Sequence, residues 1–193
     1  MVKNMGIFSG ITIIGLGPGN IDLVTKQTWD VINEVDTIYL RTAQHPAVAG
    51  FPKSLKIVSF DEVYQKFNNF EEVYQNIVDT IIALAKEGQS VTYAVPGHPF
   101  VAEPTSPLIC SKAAELGIPI RTFEAVSFLE PIFSALQEDP FSGITLLDAF
   151  DIGNANFPQF PPSRAVLICQ IYSRMIASEV KLTLLEVFDD FHP

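Results

Sequence analysis

The chain has 193 residues with 22 acidic and 12 basic side chains, a length that buries roughly 70% of its unfolded surface as one long domain or two small ones, without disulfide or metal staples. A net charge of -10 with no cluster of Lys and Arg excludes broad phosphate-backbone binding, so no nucleic-acid partner is expected. Apolar residues make up 48%, too many for disorder, yet every uncharged apolar run falls well short of the ~20 residues that cross a bilayer, so no membrane span is expected either.

The amino terminus carries one Lys before a short apolar run that ends in a glycine turn with no small-residue cleavage site, which argues against a signal peptide and for the cytoplasm. Ile11 to Leu16 is a β-branched run ending at Gly15-Leu16-Gly17-Pro18-Gly19, the pattern of a strand buried on both faces that stops in a tight turn. Asp22 is a candidate cap for a following helix whose apolar positions Trp29, Ile32 and Val35 recur at helical spacing, before a strand over Thr37 to Leu40. Lys56 to Phe60 reads as a third strand, and Phe70 to Glu87 as a helix with Val73, Ile77, Ile81 and Leu84 on one stripe, stopped by Gly88. Ser90 to Val95 is a strongly apolar strand running into Pro96-Gly97-His98-Pro99. A helix over Thr105 to Leu116 closed by Gly117, a strand over Ile118 to Phe123 and an apolar helix over Val126 to Leu136 come next. Gly153 to Pro162, with four prolines or glycines and two asparagines, reads as a loop; Ala165 to Ile171 and Lys181 to Phe188 read as strands with room for a short helix between them. Strands alternating with helices predict a parallel sheet covered on both faces, with a domain boundary near residues 117 to 125.

Two loops at strand carboxyl ends could carry chemistry. Gly15, Gly17 and Gly19 let a backbone approach a ligand closely and direct peptide N-H groups at an anion. No Gly-Lys-Ser/Thr follows, and Asn20 stands where a dinucleotide fingerprint would want glycine, so a purely structural turn is the competing reading. In Tyr93-Ala94-Val95-Pro96-Gly97-His98-Pro99, two prolines around a Gly-His pair stiffen a loop where open α/β sheets bind ligands, with His98 as turn filler the alternative. Ser127-Phe128 starts an apolar helix, either as an anion-facing N-terminus or with Ser127 as a simple cap. Cys110 and Cys169 have no CxxC or clustered histidines, so buried thiols are expected and no metal; GxSxG and DxDxDG signatures are absent.

In this order, GLGPGN with the following IDLVT, and YAVPGHP, resemble the tetrapyrrole (corrin/porphyrin) methylase family. YLRTAQHPAV, FDEVYQKFNNFEEVY, YAVPGHPFVAEPT, SFLEPIFSALQEDP and ASEVKLTLLEV look closest to its YabN-like branch, in which such a domain precedes a MazG nucleotide pyrophosphohydrolase domain. The resemblance covers nearly the whole chain. It implies a two-lobed α/β fold, with a parallel-sheet lobe over residues 1–120 and a smaller α/β lobe over 121–193 that is shorter than the family's. It implies S-adenosylmethionine as cofactor, a small-molecule methyl acceptor, a homodimer and association with a MazG-type domain or protein. On the matching positions, Gly15, Gly17, Pro18 and Gly19 fall at the floor of the substrate cleft. Gly97, His98 and Pro99 occupy the loop that holds the methionine part of the cofactor, with Val101 beside it. Ser127 and Phe128 match a serine loop that also touches the cofactor, and Gln170 and Ile171 fall where the family meets the adenosine. His98 departs from the family's usual Asp, and Glu124-Ala125 from its small residues.

Methyl transfer from a sulfonium is an in-line displacement that needs alignment more than a dedicated nucleophile, which suits a sequence with three histidines and no catalytic signature. The sequence is therefore read as an S-adenosylmethionine-dependent methyltransferase, the alternative being a catalytically silent binding or regulatory domain beside a MazG-type pyrophosphohydrolase. Pyrophosphohydrolase activity in this chain itself is set aside, since Glu71 and Glu72 are adjacent and no second acidic pair shares their face.

Overall fold

Ile11–Gly15 forms β1, every residue of it buried, as expected for a β-branched strand at the centre of a sheet with both faces covered. The computed structural model describes residues 8–67, 69–155, 160–161 and 164–190. β1 is flanked by β4 (Val91–Val95), with Ile11 opposite Val91 and Gly15 opposite Val95, and by β5 (Ile120–Phe123). β2 (Thr37–Leu40) pairs with β4, and β3 (Lys56–Ser59) with β2, giving an all-parallel sheet in the order β3-β2-β4-β1-β5.

Period-two alternation sorts the strands between two layers of core. Ile11, Ile13, Val91, Tyr93 and Val95 face α3 (Phe70–Lys86) and α4 (Thr105–Glu115), whose Val73, Ile77, Ile81, Ile109 and Ala113 complete that layer; the one-turn α2 (Val63–Lys66) precedes α3. On the opposite face Ile14, Leu16, Ile38, Leu40 and Ala94 pack on Val31 and Ile32 of α1 (Lys26–Glu34) and on Ala47, Phe51 and Leu55. Each fully buried Ile or Leu contributes about 1.5–3 kcal/mol, so these layers outweigh any single cap or ion pair. Gly88, at φ +82°, ends α3 as its position after the last periodic residue predicts.

Several local expectations are corrected. Asp22 does not cap α1: Asn20 caps a 3-10 turn over Ile21–Leu23 through the Asp22 N-H, and Thr25 caps the helix, accepting from Thr28 N at 3.2 Å. α1 buries Thr28, Val31 and Ile32, so its inner stripe lies to one side of Trp29 and Val35. The segment Lys181 to Phe188 is no strand, because α7 runs over Arg174–Leu185: Ser173 accepts from Ile176 N at 3.2 Å, and Ile176, Val180 and Thr183 are buried at helical spacing. β6 (Ile144–Asp148), a strand not expected from the sequence, pairs in parallel with β7 (Ala165–Cys169), and α6 (Ala149–Gly153) follows β6 directly. Part of the Gly153 to Pro162 loop lies outside the described residues.

The chain divides into two compact units, Met1–Ala135 and Leu136–Pro193. The boundary expected from the sequence is 120/121; in the structure β5 is an edge of the first sheet, and the division falls at the end of α5 (Leu129–Leu136). The second unit is built on the β6-β7 pair, with Ala149, Ile152, Ile176 and Val180 as its buried centre. No helix among the described residues is long and apolar enough to cross a membrane.

Candidate functional site

β1 and β4 are neighbours, but the chain leaves them in opposite directions. β1 leads to α1 on one face of the sheet and β4 leads to α4 on the other. Where adjacent parallel strands diverge in this way, their carboxyl ends frame a crevice, the usual ligand position of open α/β sheets. Gly15–Gly19 and Pro96–Val101 stand at that point.

The two loops are joined by an antiparallel bridge between Gly17 and Gly97: Gly97 N-H donates to Gly17 O at 2.8 Å, and Gly17 N-H donates to Gly97 O at 3.3 Å. This contact needs glycine at position 15, where a Cβ would come 2.3 Å from Gly97 O, 2.5 Å from Ala125 Cβ and 2.9 Å from Pro99 Cδ. The β5-α5 loop therefore meets the other two at Ala125, while Glu124 turns its side chain to solvent. Gly97 is held at φ +67°, and the side on which it lacks a Cβ is open.

Beyond the bridge, the His98 Nδ1 accepts from Phe100 N at 3.1 Å, so Nε2 carries the proton of the neutral ring, and Val101 N-H donates to His98 O at 3.1 Å. Ser127 is 2% exposed and forms a capping box with Glu130. Its hydroxyl accepts from Leu129 N at 3.0 Å and donates to Glu130 Oε2 at 2.7 Å, and Ser127 N-H donates to the same oxygen at 2.8 Å. These bonds, the hydroxyl's above all, hold the Glu130 carboxyl below its usual range, with His98 a smaller influence from the neighbouring loop. The peptide N-H groups of His98 and Phe128 have no hydrogen-bond partner among the described residues.

Residues 10–189 match the sequence model of the Tetrapyrrole (Corrin/Porphyrin) Methylases. The chain belongs to that family. The uncharacterized protein YabN of Bacillus subtilis (strain 168) is 38% identical over 181 residues, which span 93% of this chain and 36% of YabN. The chain thus corresponds to about a third of that relative's length. Among solved structures, uroporphyrin-III-C-methyltransferase from Thermus thermophilus aligns with a TM-score of 0.64 at 22% identity, over 94% of this chain and 73% of that one. A structure of uroporphyrin-III C-methyltransferase from the same organism complexed with S-adenyl homocysteine gives 0.60 at 18%, over 90% and 72%. A cobalt precorrin-4 methyltransferase gives 0.64 at 17%, over 91% and 74%. These structural likenesses speak to the methylase fold.

Of the residues singled out in the sequence, the structure brings together Gly15, Gly17, Gly97 and Pro99, and puts Pro18, Gly19, His98, Val101, Ser127 and Phe128 on the same three loops at the carboxyl ends of the adjacent strands β4, β1 and β5. Gln170 and Ile171 belong to the second unit, exposed on the turn after β7, where Gln170 takes a left-handed φ of +65° and its carbonyl accepts from Tyr172 N at 3.0 Å.

His45 is not singled out by the sequence. Its Nε2-H donates to Gly17 O at 3.0 Å, and its Nδ1 accepts from Ala47 N at 3.3 Å, which together specify a neutral ring. Burial pulls its pKa below the ordinary histidine value, against a smaller upward pull from the Gly17 carbonyl. Equally unforeseen is the buried pair of Arg41 Nη1 and Glu103 Oε1 at 2.8 Å. Burial works against the Arg41 charge, but Glu103 and the Tyr64 hydroxyl overcome it and leave the guanidinium firmly protonated. The signal for both lies in the string Tyr39-Leu40-Arg41-Thr42-Ala43-Gln44-His45-Pro46, which puts a cation and an imidazole at a strand's carboxyl end.

Proposed function

We propose that this protein is an S-adenosylmethionine-dependent methyltransferase acting on a small-molecule acceptor. The observation that carries the reading is the meeting of the Gly15–Gly19 and Gly97–Val101 loops at the divergence of β1 and β4, in a chain of the methylase family. The residues present fit the cofactor: Gly97 offers an open face, and the unpaired N-H groups of His98 and Phe128 are donors suited to a carboxylate or ribose oxygen. Gly97, His98, Pro99 and Val101 hold the methionine portion, Ser127 and Phe128 flank it, and Gly15, Gly17, Pro18 and Gly19 form the floor for the acceptor. When bound, the cofactor supplies an electrophilic methyl on a sulfonium, and the chain's part is to align and desolvate the reacting atoms. Cytoplasmic location and homodimerisation belong to the same reading.

A second reading has its own observation. The matched region makes up 36% of the 38%-identical relative, so this region accompanies further sequence there. On that reading the domain is a catalytically silent ligand-binding or regulatory unit associated with a MazG-type nucleoside triphosphate pyrophosphohydrolase. Isothermal titration of the folded protein with S-adenosylhomocysteine tests the first reading: saturable one-site binding is expected, and no heat of binding would sink it. Methyl transfer from labelled S-adenosylmethionine to any acceptor would sink the second.

A further inference from the structure

We propose that Arg41 is a positioning residue for the Gly97–Ala102 loop, fixing through Glu103 the end of the loop that the Gly17-Gly97 bridge does not reach. The inference rests on the functional reading above for what the loop binds.

Between Gly97 and α4, Pro99 is buried, but no peptide group of residues 98–102 is hydrogen-bonded to another element among the described residues. Beyond the bridge at Gly97, the loop is braced by local bonds, from Val101 N to His98 O and from Phe100 N to His98 Nδ1. Ala102 sits at φ +52°, a left-handed conformation that an L-residue with a Cβ does not keep unaided. The next residue is firmly held. Glu103, 5% exposed, accepts from Ser106 N at 2.7 Å, from Thr105 Oγ1 at 2.8 and 3.0 Å, and from Arg41 Nη1 at 2.8 Å. Because the Thr105 proton goes to Glu103, Tyr93 OH donates to Thr105 Oγ1 at 2.8 Å.

Arg41 is itself fixed. Its Nε donates to Tyr64 OH at 2.9 Å and its Nη2 to Tyr74 OH at 3.3 Å, its guanidinium lies 5.2 Å from the Tyr74 ring centroid, and its backbone N-H donates to Ala94 O at 3.0 Å. A forked cation thus ties the ends of β2 and β4 to the root of α4, through tyrosines of α2 and α3. Replacing a buried ion pair with apolar side chains is often neutral or favourable for stability, so a pair at this place is better explained by the geometry it specifies. Lysine, a point charge with no fork, cannot hold the three partners at once.

The test uses three variants of the whole chain: Arg41→Lys, Glu103→Gln and the double variant Arg41→Met/Glu103→Leu. The double variant leaves no charge unpaired, so it keeps a fold to measure if the single variants lose theirs. In folded variants the affinity for S-adenosylhomocysteine should fall on the order of tenfold to a hundredfold, since small misplacement of a binding loop has large effects. Amide exchange should quicken across 97–104 and stay unchanged in β5, and the double variant, in which Ser106 N and the Thr105 hydroxyl also lose the Glu103 acceptor, should stay folded with a lowered melting temperature while still binding weakly. Wild-type affinity in a folded double variant would overturn the proposal as a merely structural bridge. If the wild type binds no S-adenosylhomocysteine, the functional reading fails, and the exchange data alone decide the positioning role: unchanged protection across 97–104 overturns it, and faster exchange supports it.

Discussion

At Gly15 the missing side chain is what lets the β1 and β4 loops meet. Gly15→Ala would press a Cβ against Gly97 O and Ala125, and central strands yield little, so a loss of about 1–3 kcal/mol is expected in urea denaturation. Gly97 differs in kind, since it needs only its left-handed φ and has open space around it. Gly97→Asn, a residue that tolerates that conformation, should cost less than about 1 kcal/mol. Equal losses would contradict the steric argument. His45 gives a pH dependence with a definite sign. Its pKa is lowered by folding, so between that value and the ordinary 6.5 the unfolded chain binds a proton that the folded chain does not. Its contribution is complete above 6.5 and is lost as pH falls through that window. Urea midpoints at pH 7.5 and about pH 5 should therefore separate in the wild type more than in His45→Gln, and parallel profiles would show that the ring is not buried neutral. The glycines are legible in sequence because Gly-x-Gly-Pro-Gly and Pro-Gly-His-Pro leave few backbone conformations open. For His45 and Arg41 the sequence offers only a cation and an imidazole after a strand; their partners are not legible, because Gly17 lies 28 residues from one and Glu103 62 residues from the other.

Among the elements, α5 shows how a local signal can mean what its spacing says. Ser127-x-x-Glu130 forms a reciprocal cap, and Ser127→Ala should lower stability by about 1 kcal/mol in thermal denaturation while Ser127→Asn restores most of it. The same cap bears on function, because Ser127 is both a binding candidate and the brace of its own helix. If Ser127→Asn matches the wild type in stability yet loses affinity for S-adenosylhomocysteine, the hydroxyl serves the ligand as well as the helix. Strands β1 and β4 are readable because burial on both faces permits a nearly continuous apolar run, broken by Thr12 and Thr92. β7 (AVLIC) is readable for its apolar run although it is half-buried, whereas β6 (ITLLD), half-buried and ending in Asp148, carries a weaker pattern. The error over Lys181 to Phe188 has a similar cause. Leu182, Leu185 and Val187 are exposed, so the apolar letters of that stretch do not mark its buried side, which runs through Ile176, Val180 and Thr183.

At the scale of the whole chain, the two units differ in how much apolar surface their secondary structure hides. The first encloses a five-stranded sheet between two helical layers, with Ile11, Ile13, Ile14, Ile38 and Leu40 entirely buried. The second has a two-stranded sheet and a buried centre of Ala149, Ile152, Ile176 and Val180, while Phe141, Met175 and Leu182 are 96%, 69% and 65% exposed. A two-stranded sheet is marginal without packing on a helix, and local opening free energies follow buried apolar contact. Native-state amide exchange should therefore find the slowest protons in β1 and β4, exchanging only with global unfolding, while β6, β7 and α7 exchange earlier through a separate opening. That opening should respond to Val180→Ala and leave β1 and β4 unchanged at low denaturant, because Val180 packs in the second unit's own cluster with Ala149, Ile152 and Ile176. If all the protected amides of the chain exchanged with a single free energy, the two units would be one cooperative body, and the division at Ala135 would describe geometry without describing stability.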